Sequence, residues 1–139
     1  MPEIKSGEGK YMSPEPERRI RITEYLDLDI DKEQWMCNRC GHVLGPARES
    51  YKKGCLLYDR DPREIHQQLV SGNFNFSPDP LWVRIVECYC PGCGTQIETE
   101  YIPPGHPLTH DIEIDLDSLK ERLRKGEFIL RGQRLEAVE

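Results

Sequence analysis

No stretch of this chain approaches the roughly 18–20 consecutive apolar residues of a membrane span, and no lipidation signal is present, so a membrane role is not expected. Basic residues are also short: 19 Lys and Arg stand against 25 Asp and Glu, a formal net charge of −6. Phosphate binding needs the opposite balance, which disfavours a nucleic-acid reader overall. The sequence has no glycine-rich phosphate loop, nucleophile elbow or metalloprotease helix, and its four histidines form no evident acid–base pair. Residues 1–20 are polar and rich in Pro, Glu and Arg, with no apolar signal segment, so a reducing cytoplasm is the expected location. Apolar residues make up 37%, charged residues 32%, and there are 11 prolines, a polar composition for a compact domain of 139 residues. A small core with extended arms that lie on something else fits these figures better than one large globule.

What is present is two cysteine pairs, Cys37-Asn38-Arg39-Cys40-Gly41 and Cys90-Pro91-Gly92-Cys93-Gly94. Two residues between cysteines is the spacing at which a tight knuckle points both sulfurs at one ion. Gly41 and Gly94 sit where the chain turns away from the metal and positive φ is often needed. Cys37, Cys40, Cys90 and Cys93 therefore read as one structural Zn2+ site. Redox dithiols fit less well, because no βαβ pattern surrounds the pairs. Four thiolates leave zinc no open position for water, so the chain alone is not expected to be catalytic. The pairs lie much farther apart than the roughly 15–20 residues of a compact ribbon, so the ion would close a long loop.

The expected fold class is mainly β with short helices, a zinc-ribbon-like core with a long insertion and extended terminal arms. Residues 1–19 read as a flexible or partner-ordered arm, 20–116 as the ribbon-like domain with its insertion at about 41–80, and 117–139 as a C-terminal helix and tail. Leu26, Leu28 and Ile30 alternate with Asp27, Asp29 and Asp31, the period of a strand with one buried face. Trp35 and Met36 lead into the first knuckle. Residues 41–60 read as mostly loop, with a short strand at Cys55–Tyr58. Asp61, Pro62 and Glu64 form a helix start with a capping box, for a helix ending before Gly72. Asn73–Pro80, with Phe74 and Phe76, reads as loop. Leu81–Tyr89 and Gln96–Ile102 are strands flanking the second knuckle, and the proline-rich run 103–107 must be irregular. Ile112, Ile114 and Leu116 read as a last core strand, followed by a helix over Ser118–Lys125, capped by Ser118 with Glu121 and ended at Gly126. Residues 127–139 are a terminal strand or tail.

Cys55 and Cys88 read as small apolar residues, and His42 as a neighbour of the site rather than a ligand. His66, His106 and His110 suit surface or packing roles. The acidic residues Asp27, Asp29, Asp31, Glu113, Asp115 and Asp117 read as solvated strand faces rather than a cation site. Arg39, Arg48, Lys52, Lys53, Arg60 and Arg63 form either a basic docking face or a solvated loop. These readings leave open an independent zinc-ribbon adaptor for nucleic acid or a protein partner.

A more specific pattern runs through Trp35, the first knuckle with His42, Gly45-Pro46-Ala47-Arg48-Glu49, Tyr58-Asp59-Arg60-Asp61-Pro62-Arg63-Glu64, Tyr89 with the second knuckle and Thr95-Gln96, and Pro103-Pro104-Gly105-His106-Pro107. It resembles the small, gamma-type subunit of acetone and acetophenone carboxylases across most of residues 20–116. Length and the amino-terminal arm lie nearer the acetophenone enzyme's small subunit. The resemblance implies membership in a cytoplasmic hetero-oligomer that uses ATP, without biotin, to join a ketone and bicarbonate into a β-keto acid. It implies that large hydantoinase-like subunits carry ATP and Mg2+, while this chain is a zinc-containing assembly subunit with no nucleic-acid partner. The Asp59–Glu64 segment is where contact with a large subunit is expected.

Overall fold

Branched and aromatic residues around the two knuckles favour pleated pairing over helix, and the chain folds into antiparallel ladders. The computed structural model describes residues 18–66 and 77–139. Strands β1 (Arg19–Arg21), β2 (Leu26–Asp29), β3 (Gln34–Cys37) and β4 (Val43–Pro46) form a meander in sequence order. A 3-10 turn at Tyr51–Gly54 leads to a second sheet of β5 (Leu56–Arg60), β6 (Arg84–Tyr89) and β7 (Gln96–Ile102), with β6 central. Helix α1 (Pro62–Ile65) follows β5, and helix α2 (Leu116–Arg124) precedes a terminal hairpin of β8 (Phe128–Arg131) and β9 (Arg134–Ala137). The mainly β class with short helices and a ribbon-like core is therefore what forms.

One apolar cluster joins the pieces. Leu26 and Leu28 of β2, Trp35 of β3, Leu44, Tyr51, Ile97 of β7 and Leu116 at the start of α2 are buried together with Cys37 and Cys90. Each large apolar side chain so enclosed contributes roughly 1.5–3 kcal/mol. Trp35 keeps its polar edge satisfied by donating Nε1–H to the Glu49 carbonyl at 2.8 Å, and its ring meets Tyr51 edge-on at 6.1 Å.

Several local expectations change. The alternation in β2 does not leave a wet face, because Asp27 and Asp29 are as buried as the leucines. Asp27 accepts from Asn38 Nδ2 at 2.8 Å and Gln133 Nε2 at 3.3 Å, while Asp29 Oδ1 accepts the amides of Asp31 and Lys32. Gln133 belongs to the β8–β9 turn, so a distant hairpin covers the face that local pattern assigned to water. Residues 41–60 are not mostly loop: β4, the 3-10 turn and β5 occupy much of them. Ile112 and Ile114 pack against the core from irregular chain, and Leu116 opens α2 rather than ending a strand. Asp115 caps that helix by accepting from Ser118 N–H, so Ser118 is not the cap. Strand β6 starts at Arg84, leaving Leu81 and Trp82 in a preceding turn.

Other expectations hold. Asp61 caps α1 through Arg63 N–H with Pro62 in the first turn, and Gly126 has φ +77° after α2. Glu64 bonds Arg60 rather than completing a box. The described part of α1 ends at Ile65; the expectations for residues 1–17, for a helix running toward Gly72 and for Phe74 and Phe76 lie outside the described residues.

Candidate metal centre

Two hairpins of the same construction bring the cysteines together. In the first, Cys37 N–H donates to His42 O and Gly41 N–H donates to Cys37 O, both at 2.9 Å. In the second, Cys90 N–H donates to Thr95 O at 2.8 Å and Gly94 N–H to Cys90 O at 2.9 Å. The pattern is identical residue for residue, down to a register shift in the ladder two residues before each leading cysteine. Such irregularities re-aim side chains, here toward the facing knuckle. Gly41 and Gly94 close the turns at φ +77° and +74°, where a Cβ costs roughly 1–2 kcal/mol. No atom lies within 4 Å of a Cβ built on Gly94, so strain is the whole cost there. Gly94→Ala is accordingly expected to lower unfolding free energy by about 1 kcal/mol with metal content unchanged, checked by urea melts and metal analysis.

The four Sγ atoms lie within 4.8 Å of one another. Cys37 and Cys93 are 3.7 Å apart and Cys40 and Cys90 3.6 Å. Tetrahedral zinc with Zn–S near 2.3 Å requires sulfurs about 3.8 Å apart, so the set fits such an ion. Cys37 and Cys90 sit in the apolar core, whereas Cys40 and Cys93 are exposed. The Gly92 amide points at Cys90 Sγ, 3.3 Å away, and a Cβ on Gly92 would crowd Cys40 Sγ at 3.1 Å.

Burial and hydrogen bonding act in opposite directions on the thiols of this cluster. Burial pushes the Cys90 thiol up to about 12 and Cys37 in the same direction. The Thr95 hydroxyl, 3.0 Å from Cys93 Sγ, pulls Cys93 down to about 6. Loading a metal at a site of this kind displaces thiol protons. Four cysteines so arranged can hold a metal ion as a cross-link between the meander and the second sheet.

The remaining candidates go elsewhere. His42 is exposed and packs its Cβ near Gly92, outside the sulfur cluster. Cys88 is fully buried, and half-buried Cys55 is held up at about 12 by burial. His66 Nε2 lies 3.3 Å from Tyr101 OH, His106 Nδ1–H donates to Pro107 O, and His110 faces Glu113. Asp31 and Asp117 pair with Arg18 and Arg48, so the acidic residues are dispersed. The basic group does not form a bare face. Arg48 bridges Glu33 and Asp117, Arg60 pairs with Glu64 and Glu87, and Arg63 with Asp61.

Lys52, placed in that basic group by its sequence, is only 2% exposed. Its Nζ lies 2.8 Å from Glu100 Oε2 and 3.4 Å from Asp111, and donates to Thr109 O at 2.9 Å. Tyr51 OH donates to Asp111 and Thr109 N–H to Glu100, completing a polar knot that fastens the segment after β7 to the 3-10 turn. No spacing rule announced it. The residues that support the first knuckle, Asp27 through Asn38, were equally hidden.

Residues 20–124 match the family model described as acetone carboxylase gamma subunit. The chain is 60% identical over 117 residues to the acetophenone carboxylase beta subunit of Aromatoleum aromaticum, covering 84% of this chain and 91% of that protein. It is 30% identical over 92 residues to the acetone carboxylase gamma subunit of Xanthobacter autotrophicus, covering 63% of this chain and 51% of that one. The matched span takes in both knuckles, the Lys52 knot and all of α2, so the likeness covers the site and its supports together. On that extent of agreement, the chain belongs to the acetone carboxylase gamma subunit family.

Proposed function

We propose that this protein is a non-catalytic assembly subunit of an ATP-dependent, biotin-independent ketone carboxylase that converts acetophenone or acetone to a β-keto acid. In this reading the larger subunits are hydantoinase-like, carry ATP and Mg2+, and meet this chain in a cytoplasmic hetero-oligomer. Cys37, Cys40, Cys90 and Cys93 hold structural Zn2+. Bound there, zinc supplies a cross-link between two hairpins and offers no open coordination position for chemistry. The observation that carries the reading is the 60% identity to an acetophenone carboxylase subunit over 84% of the chain. The four-sulfur geometry supports the structural part, because four thiolates fill the coordination of a tetrahedral ion.

Native mass spectrometry with metal analysis on protein purified gently from its own host is the test. The expected result is this chain in complex with much larger ATP-binding chains, with one zinc per copy. Recovery as a lone metal-bearing monomer would overturn the assembly reading. Four-cysteine protein with iron in place of zinc would overturn the metal assignment and leave the assembly reading standing.

A further inference from the structure

The two knuckles share a backbone and differ in their side chains. His42 closes the first turn and Thr95 the second, each accepting the amide of its leading cysteine. The His42 side chain is exposed and turns toward the facing knuckle, its Cβ 3.0 Å from where a Cβ on Gly92 would stand. Thr95 instead turns back on its own knuckle, and its Oγ1 lies 3.0 Å from Cys93 Sγ. A β-branched side chain on a backbone pinned by the Cys90 amide has little rotamer freedom, so this hydroxyl is held in place by the turn itself.

The four sulfurs are not equally secured. Cys37 and Cys90 are fully buried in the cluster with Leu26, Trp35 and Ile97, and Cys90 Sγ also faces the Gly92 amide at 3.3 Å. Neither can swing away without opening the core. Cys40 and Cys93 are exposed, so a sulfur that gives way to water or a chelator is one of these two. Four thiolates carry more negative charge than a divalent ion supplies, and a hydroxyl donating to one of them makes a charge-assisted hydrogen bond, about twice as strong as a neutral one. Cys93 has that donor. Among the described residues no hydroxyl reaches Cys40, whose Sγ lies 3.6 Å from Cys90 Sγ inside the cluster.

We infer that Thr95 is a positioning residue of the metal centre: its hydroxyl keeps the exposed Cys93 sulfur on the ion and leaves Cys40 as the ligand that lets go first. This rests on the Zn2+ reading of the four cysteines given above. Two hairpins of the same construction thus become a firm half and a labile half, and metal exchanges through the Cys40 side of the rim.

The test challenges the zinc-loaded full chain with excess pyridylazo-resorcinol, a chelator whose zinc complex is coloured. Thr95→Val keeps the branched shape and removes the hydroxyl. It is expected to release zinc about tenfold faster than wild type, at the lower end of what loss of an outer hydrogen-bond partner costs a metal site, while Thr95→Ser restores the wild-type rate. His42→Ala, at the equivalent position and with its Cβ retained, releases at the wild-type rate. Circular dichroism and zinc per chain before the challenge are unchanged in every variant. A second measurement needs no variant: substoichiometric iodoacetamide on the zinc-loaded wild type, read by peptide mass spectrometry, labels Cys40 ahead of Cys93, because a Cys93 lone pair is already engaged. Release by Thr95→Val at the wild-type rate, failure of serine to rescue, equal acceleration by His42→Ala, or labelling of Cys93 first would each overturn the inference. A wild-type chain that binds no zinc would strike the metal reading and this inference with it, a result distinct from a loaded wild type in which Thr95 makes no difference.

Discussion

Cys37→Ser and Cys93→Ser are each expected to abolish stoichiometric metal binding and unfold the centre of the chain, whereas Cys55→Ser is expected to leave both properties near wild type. This is the largest effect expected in the molecule. Structural zinc contributes on the order of 10–16 kcal/mol in small finger peptides, as much as the whole net stability of a domain. An ion held by these cysteines would join the β3–β4 turn to the β6–β7 turn, and the loop it would close contains the 3-10 turn and β5. Cys37 is fully buried, so serine there also leaves a hydroxyl in an apolar cluster, and Cys37→Ser is expected to be worse than Cys93→Ser at the exposed rim. Among the described residues the Cys55 thiol donates to Tyr51 O at 3.5 Å and lies outside the four-sulfur cluster. Metal analysis with urea titration reads all three. Equal loss across them would refute the ligand assignment.

The second large effect is at Lys52. Lys52→Met removes the cation shared by Glu100 and Asp111, leaving Glu100 enclosed and unpaired, and breaking a buried pair from one side costs about 3 kcal/mol. For a chain of this size that is roughly a 10 °C fall in melting temperature. A double-mutant cycle with Glu100→Gln should show coupling above about 1 kcal/mol, since the two side chains are in direct contact. A Lys52→Met stability within about 0.5 kcal/mol of wild type would show the knot to be incidental.

The pH dependence follows with opposite signs at the two ends. Burial alone would raise the Glu100 pKa, but the Lys52 ammonium and Thr109 reverse this and hold it below the ordinary carboxylate range. A depressed folded-state pKa stabilises above the unfolded value and loses that contribution as pH falls through the folded one. Burial alone would lower Lys52, and Glu100 with Asp111 reverse that to a net rise. Its contribution is complete below the ordinary lysine value and fades as pH climbs through the raised one. Wild type should therefore lose stability at both acid and alkaline extremes, and Lys52→Met should flatten the alkaline limb in urea melts taken across pH.

The knuckles were legible because every requirement is local: two residues between cysteines, a glycine to turn at positive φ, and amide bonds closing within five residues. The cap of α1 and the limits of β7 were legible for the same reason, and the family resemblance rested on blocks of this kind. The Ile112–Leu116 segment misled because alternate aliphatics read as a strand, yet Asp115 can accept an amide and so starts a helix in the middle of the pattern. Sequence by itself determined the two cysteine-bearing turns, the mainly β character and the absence of a cationic surplus. Only the tertiary structure decided that Asp27 and Asp29 lie inside, that Lys52 is a buried fastener rather than a surface charge, and that Leu56, Leu57 and Tyr58 of β5 are exposed. Those outcomes depend on which distant segment arrives to cover a face, as Gln133 does for Asp27 across 106 residues, and no period of two or 3.6 along the chain encodes that arrival.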